Sequence, residues 1–380
     1  MIYFDNAATT LTKPPEVAQA VIEALGSFGG VGRGVHSASL DAGMAVYETR
    51  GALARLLDAP SASRVAFTCN VTESINIVLA GLLHPGDRAV TTAASHNSVL
   101  RPLYRKRDEE GCEIAVAPIM PDGGLDYDEF ARMVTPRTKV VVVTHASNLT
   151  GDVYDIARMA SLAHEAGALF VVDAAQTAGL VPIDMARDGV DVVAFTGHKS
   201  LYGPQGTGGL AVADDVSIPP FKVGGTGMHS YDERHPSRMP ESLEAGTLNG
   251  QGIAGLAAGI AYIERSGVDA IWARTAVLRQ RFLEGCRSLP MVRVYGGGAM
   301  ANTGIVALNV GDIDAAQVSD VLNVDYDICT RAGAHCAPLM HRALGTEEQG
   351  AVRFSFSHFN TEDEIDEGVR ALSSIAAAFA

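Results

Sequence analysis

Between residues 60 and 215, short β-branched runs alternate with segments of helical periodicity, and this rhythm restricts the chain to few folds. Val65–Thr68, Ala89–Ala93, Glu113–Met120, Lys139–Ser147, Leu169–Ala175, Val190–Gly197 and Gly208–Ala213 read as strands. Lys139-Val-Val-Val-Val-Thr144 is almost continuously apolar, as a strand buried on both faces of a parallel sheet requires. The expected class is α/β, with a large domain built on a mostly parallel sheet. Gln251–Ser288 reads as two long helices. Strands near Val292–Gly296, Gly304–Val310 and Val352–His358 follow, with helices near Asp314–Asn323 and Glu362–Ala380, which suggests a smaller α+β unit. The expected division is 15–260 for the large domain, with 1–14 and 261–380 forming the small one; 380 residues suit two domains. Ile218 to Pro240, rich in Gly and Pro, reads as an active-site loop rather than a linker.

Composition narrows the function classes. No apolar run reaches the ~18 residues of a membrane span, and the first residues hold no basic segment followed by an apolar stretch. A cytoplasmic location is expected. The net charge is −15 and the basic residues are scattered, so a nucleic-acid partner is not expected. Cys69, Cys112, Cys286, Cys329 and Cys336 have no paired spacing, which argues against a disulfide framework or a zinc cage. Four are expected to be buried free thiols, with Cys336 the exception.

Of five lysines, Lys199 has the unusual setting. It closes the apolar run Val192-Val-Ala-Phe-Thr-Gly197 and precedes Gly203-Pro-Gln-Gly-Thr-Gly-Gly209. An amine there faces the crevice in which α/β folds bind ligands. A Walker loop fails on spacing, because His198 and Val193 stand where its two glycines belong. An isolated strand-end lysine is ordinarily a surface residue; its neighbours change that. Val171-Val-Asp-Ala-Ala-Gln176 places Asp173 and Gln176 at the end of the preceding strand. Pyridoxal phosphate needs a carboxylate at its pyridine nitrogen and a donor near its ring hydroxyl, tasks these two residues suit. Alone, Asp173 would read equally well as a turn former. Thr72 opens a helix whose free N–H groups favour a phosphate, although a plain Ser/Thr cap has the same geometry. His96 follows another strand end and is placed to stack on a planar ring or move a proton. Cys336 lies in Arg331-Ala-Gly-Ala-His-Cys-Ala-Pro-Leu-Met340, where nearby positive charge would make a nucleophilic thiolate. His335, Cys336 and His341 lack the ligand count of a metal site. Arg353 starts an alternating strand that puts it on one face with Ser355 and Ser357, suited to a substrate carboxylate or a structural ion pair.

Together these residues resemble the class V aminotransferase-like group of fold type I pyridoxal-phosphate enzymes, and within it the cysteine desulfurases. Further matching pieces are Tyr3-Phe-Asp-Asn-Ala-Ala-Thr-Thr10, Arg33-Gly-Val-His-Ser37, Thr72-Glu-Ser-Ile-Asn76, Ser147-Asn148, Thr196-Gly-His-Lys199 and Glu244-Ala-Gly-Thr247. The short cysteine loop resembles the subgroup that includes selenocysteine lyases. The resemblance implies pyridoxal 5'-phosphate held as a Schiff base on Lys199, Asp173 at the pyridine nitrogen, Gln176 at the ring oxygen and His96 on the ring face. It gives the phosphate to Thr72, Thr196 and His198, with Thr247 reaching it from the other subunit of a homodimer. Asn148 and Arg353 would hold the substrate carboxylate, with His36, Ala8 and Arg331 lining the substrate side. Val71 departs from the family's usual threonine and removes one hydroxyl from the phosphate loop. The implied reaction converts L-cysteine to L-alanine through a persulfide on Cys336, passed to an acceptor protein or thiol. Lys199 would move the proton. Selenocysteine lysis, sulfinate desulfination, transamination or a catalytically silent scaffold are the alternatives.

Overall fold

The structure is a computed structural model that describes residues 1–32, 34–228, 230–299 and 301–378. Seven strands form the main sheet: β1 (Val65–Thr68), β2 (Arg88–Thr92), β3 (Glu113–Ala117), β4 (Thr138–Thr144), β5 (Leu169–Asp173), β6 (Val192–Thr196) and β7 (Gly208–Val212). Their order is β1-β7-β6-β5-β4-β2-β3. The run from β6 through β5, β4 and β2 to β3 is parallel throughout. β7 is antiparallel to both β6 and β1. The reason is local: residues 197–207 contain no helix, so the chain turns back beside β6 instead of crossing over. In β4, Val140 to Val143 are wholly buried, which is the two-sided burial their apolar run predicts.

Helices Val71–Leu82, Asn97–Glu110 and Ile156–Glu165 follow β1, β2 and β4. The first begins at Asn70, whose side chain accepts from Glu73 N, while Glu73 Oε2 accepts from Cys69 N at 2.6 Å. Strand expectations overran at the carboxyl end in every strand of the sheet but β1, by one residue in β2, β6 and β7 and by two or three in β3, β4 and β5, since the apolar pattern continues where the chain has already left the sheet. Two helices in the first sixty residues, Pro15–Ser27 and Ser37–Leu57, carry no sequence assignment above; both pack on Gly250–Ser266. A Cβ at Gly259 would collide with the Leu201 carbonyl, so glycine lets that helix lie against the turn that follows Lys199.

The C-terminal unit holds an antiparallel sheet of β8 (Val292–Tyr295), β9 (Ile305–Val310), β10 (Arg331–Gly333) and β11 (Ala351–Ser355), ordered β8-β9-β11-β10. It has its own apolar cluster, with Phe4, Phe282, Phe354, Ile365 and Leu372 fully buried. The N-terminus joins it: Ile2–Tyr3 pairs with Ile328–Cys329, and Asp5 bridges to Ser355. Among the described residues no helix is long and apolar enough to cross a membrane.

Candidate active site

Parallel pairing puts the carboxyl ends of β2, β4, β5 and β6 along one edge, with Thr144 beside Asp173 and Asp173 beside Ala194. Each strand delivers one chemical group shortly after it ends: His96, Asn148, Asp173 itself and Lys199. Lys199 lies in a turn past the end of β6, fixed by Tyr202 N donating to its carbonyl at 2.9 Å and Gly203 N donating to Gly197 O at 2.8 Å.

Burial pushes the Lys199 ammonium down to about 8; Asp173 and Asp5 oppose that shift, and Arg353 and Arg331 add to it. Burial raises the Asp173 carboxyl, against hydrogen bonds from Ala175 N (3.0 Å) and Ser98 Oγ (3.2 Å). His96 caps the helix Asn97–Glu110 through Nδ1, which accepts from Ser98 N at 3.0 Å. A backbone N–H can only donate, so Nδ1 is the bare nitrogen and Nε2 bears the hydrogen. Burial pushes His96 down to about 4, helped by Lys199, Arg331, Arg353 and Arg101. The imidazole is therefore neutral at pH 7. Gln176 is buried and its Nε2 donates to Ala7 O at 3.1 Å, leaving one N–H free.

Cys336 shares a cleft with His96, Thr72, Arg101 and Arg105. Its backbone is unusual: His335 (φ 50°) and Cys336 (φ 55°) are consecutive left-handed residues without being glycine. Three contacts hold that shape. Asn148 Nδ2 donates to His335 O at 2.7 Å, Asn97 N donates to Cys336 O at 2.9 Å, and His335 Nε2 meets Arg331 O at 3.1 Å. Arg353 is 1% exposed, donating to Asn148 O at 2.9 Å and pairing with Asp5 at 2.7 Å. Arg331 is half-buried opposite Arg353 in register. Ser355 shares the face of Arg353, accepting from Ala7 N at 2.9 Å, but Ser357 lies beyond the end of β11.

The side chains fit pyridoxal phosphate. A buried carboxylate, a lysine of lowered basicity and a helix N-terminus carrying Thr72 meet at one sheet edge. Asn148 Oδ1 and His198 Nδ1 are buried without a protein partner, and burial pushes His198 down to about 4. Buried Thr196 makes only a long 3.5 Å bond to Thr207 O, which leaves its hydroxyl little committed. Val71 packs into the apolar cluster beneath the sheet, so its side chain turns away from the loop.

Other residues lie apart. Thr247 is exposed and shares a cleft with Cys69, Glu73 and Lys222 rather than with Lys199. His36 is exposed at the start of the helix Ser37–Leu57, and Arg33 lies outside the described residues. Ala8 is half-buried in the N-terminal turn, its N–H donating to Asp5 O. The expectation of four buried spare cysteines fails for two: Cys69 is exposed in the turn before a helix, and Cys329 is half-buried on a two-residue edge strand. Cys112 and Cys286 are buried. Asp5 and Ser98 carry site contacts that the sequence did not flag. Asp5 meets Arg353 across nearly the whole chain, and a serine two residues after a histidine has no signature.

A family model described as aminotransferase class-V matches residues 2–367. The probable cysteine desulfurase of Pyrococcus abyssi is 36% identical, over 96% of this chain and 92% of that protein. The chain belongs to the cysteine desulfurases of the class-V family. An Enterobacter cysteine desulfurase is 33% identical over 99% of this chain and 93% of its own length. Among solved structures, the cysteine desulfurase of Thermococcus onnurineus superposes with a TM-score of 0.92 at 33% identity, covering 99% of this chain and 95% of that one. Escherichia coli CsdA, another cysteine desulfurase, gives 0.89 at 29%, covering 99% and 94%. The family is generally dependent on pyridoxal phosphate.

Proposed function

We propose that this chain, holding pyridoxal phosphate on Lys199, takes sulfur from L-cysteine, leaving L-alanine and a persulfide on Cys336. One observation carries the reading: Cys336 opens onto the cleft lined by His96, and His96 and Lys199 lie in one electrostatic environment. A thiol and an amine thus face the same substrate. When bound, the cofactor supplies an electron sink for the pair released at Cα. Asp173 would keep the ring nitrogen charged, Gln176 would offer its free N–H to the ring oxygen, and Thr72, Thr196 and His198 would hold the phosphate. Arg353 and Asn148 would take the substrate carboxylate, with Arg331 on the same side.

Lys199, with its lowered pKa, accepts the Cα proton as a free amine. Cys336 Sγ attacks the substrate sulfur, so an S–S bond forms as Cβ–S breaks. The electron pair of the broken bond passes to Cβ, which takes up a proton, and the proton held on Lys199 goes back to Cα to complete alanine. Neutral His96 offers its Nε2 hydrogen as a hydrogen-bond donor without carrying charge into the site. Cysteine plus thiol thereby yield alanine plus persulfide, and a protein or small thiol acceptor takes the outer sulfur. Thr247, exposed and remote from Lys199 of its own chain, reaches the phosphate of a second copy in a homodimer.

The test is incubation of Cys336→Ala and the unaltered enzyme with cysteine, selenocysteine and cysteine sulfinate. Alanine is measured beside sulfide, selenide or sulfite. The variant should retain the cofactor's visible absorbance and lose sulfide release from cysteine. Desulfuration that survives the substitution overturns the reading. Equal use of selenocysteine by the variant would assign the scaffold to a lyase instead.

A further inference from the structure

The structure assigns Ser98 a positioning role: its hydroxyl keeps the Asp173 carboxylate ionised, and its backbone fixes the tautomer of His96. Ser98 is buried in the first turn of the helix Asn97–Glu110. Its Oγ lies 3.2 Å from Asp173 Oδ2 and 2.9 Å from His96 Nδ1, while its N–H donates to that same Nδ1 at 3.0 Å. An unprotonated Nδ1 has one lone pair, which the backbone donor occupies. The single hydroxyl hydrogen is therefore left for Asp173. One residue connects the imidazole on one side of the site with the carboxylate at its floor.

That hydrogen is one of three influences that oppose the effect of burial on Asp173, with Ala175 N and the charge of Lys199. Burial drives its carboxyl toward the neutral form, and among the described residues only Ala175 N and Ser98 Oγ donate to it. A protonated Asp173 cannot hold a positive charge on a ring nitrogen. The role rests on the reading that pyridoxal phosphate sits on Lys199 with its nitrogen at Asp173.

The experiment compares the unaltered enzyme with Ser98→Ala and Ser98→Thr, each loaded with pyridoxal phosphate. It measures the pH midpoint of the bound cofactor's absorbance change, the cofactor dissociation constant, and kcat and KM for cysteine. In Ser98→Ala the midpoint should rise, because a ring of weaker positive charge acidifies the lysine-linked nitrogen less. Cofactor dissociation should become several-fold easier, and kcat should fall by about 10-fold with KM unchanged, as for a lost hydrogen bond to a charged group. Ser98→Thr, which keeps the hydroxyl, should restore the midpoint. A Ser98→Ala midpoint equal to that of the unaltered enzyme overturns the role, as does a Ser98→Thr protein impaired as deeply as Ser98→Ala. An unaltered enzyme that develops no visible absorbance with pyridoxal phosphate instead refutes the cofactor reading on which the role stands.

Discussion

The two ends of the site are built by different means. At the amine end, Lys199 and Asp173 are placed by the sheet: adjacent parallel strands in fixed register deliver them to one edge, and each lies within a few residues of its strand. At the thiol end, Cys336 stands on a loop whose two left-handed residues are held by hydrogen bonds from Asn148 and Asn97, both far away in sequence. Sheet register is cooperative and hard to alter at one position. A loop clamped by two or three bonds across a boundary yields to single substitutions.

The largest effect should come from the amine end. On the proposed reading Lys199→Ala removes both the cofactor's anchor and the base, and alanine production from cysteine should fall by ~10³-fold or more. Circular dichroism and thermal unfolding should stay near those of the unaltered protein, because a lysine of lowered pKa contributes desolvation cost rather than packing. A variant that retains a tenth of the rate would mean that another base serves.

Asn148→Ala tests the thiol end. It releases the His335 carbonyl and, on the proposed reading, one contact to the substrate carboxylate, a loss of about 1–3 kcal/mol, so sulfur release should drop by roughly 10- to 100-fold. The cofactor's absorbance should persist, and alkylation of Cys336 by iodoacetamide should change in rate. Loss of cofactor binding in this variant would show that the two ends are not separately built.

This division also explains what could be read from sequence. The seven main strands, the closing helices, and the placement of Lys199 and Asp173 at strand ends follow from β-branched runs whose period and termination are local properties. The strand ends themselves were overread, because Ala146 and Ala174 stay apolar after leaving the sheet. Asp5 against Arg353 and Asn148 against His335 are contacts between segments 348 and 187 residues apart, and no local pattern encodes such a pairing. The left-handed pair at His335 and Cys336 is equally silent, since neither residue type announces positive φ.

The amine end should also set the pH dependence. On the proposed reading the working form of Lys199 is the free amine, so lowering its pKa raises that fraction. At pH 7 an ordinary lysine is roughly 0.03% free, whereas one at about 8 is roughly 10% free. The rate should accordingly climb about 10-fold between pH 7 and 9 and then level off. His96, at about 4, adds no step in that interval. A profile still rising above pH 10 would mean that burial in the folded site does not lower the lysine.

The smallest effect lies in the backbone of the thiol end. A non-glycine residue in the left-handed region costs about 1–2 kcal/mol, and Cys336 sits there at φ 55°. Glycine removes that cost but loses more conformational entropy on folding, about 0.4–1 kcal/mol. Comparing Cys336→Gly with Cys336→Ala cancels the lost thiol, and the glycine variant should be more stable by about 0.5–1 kcal/mol in urea unfolding. Both are inactive, so the measurement reads the backbone alone. An alanine variant at least as stable would mean that the loop relaxes once the thiol is gone, and that the side chain, rather than Asn148 and Asn97, holds the left-handed turn.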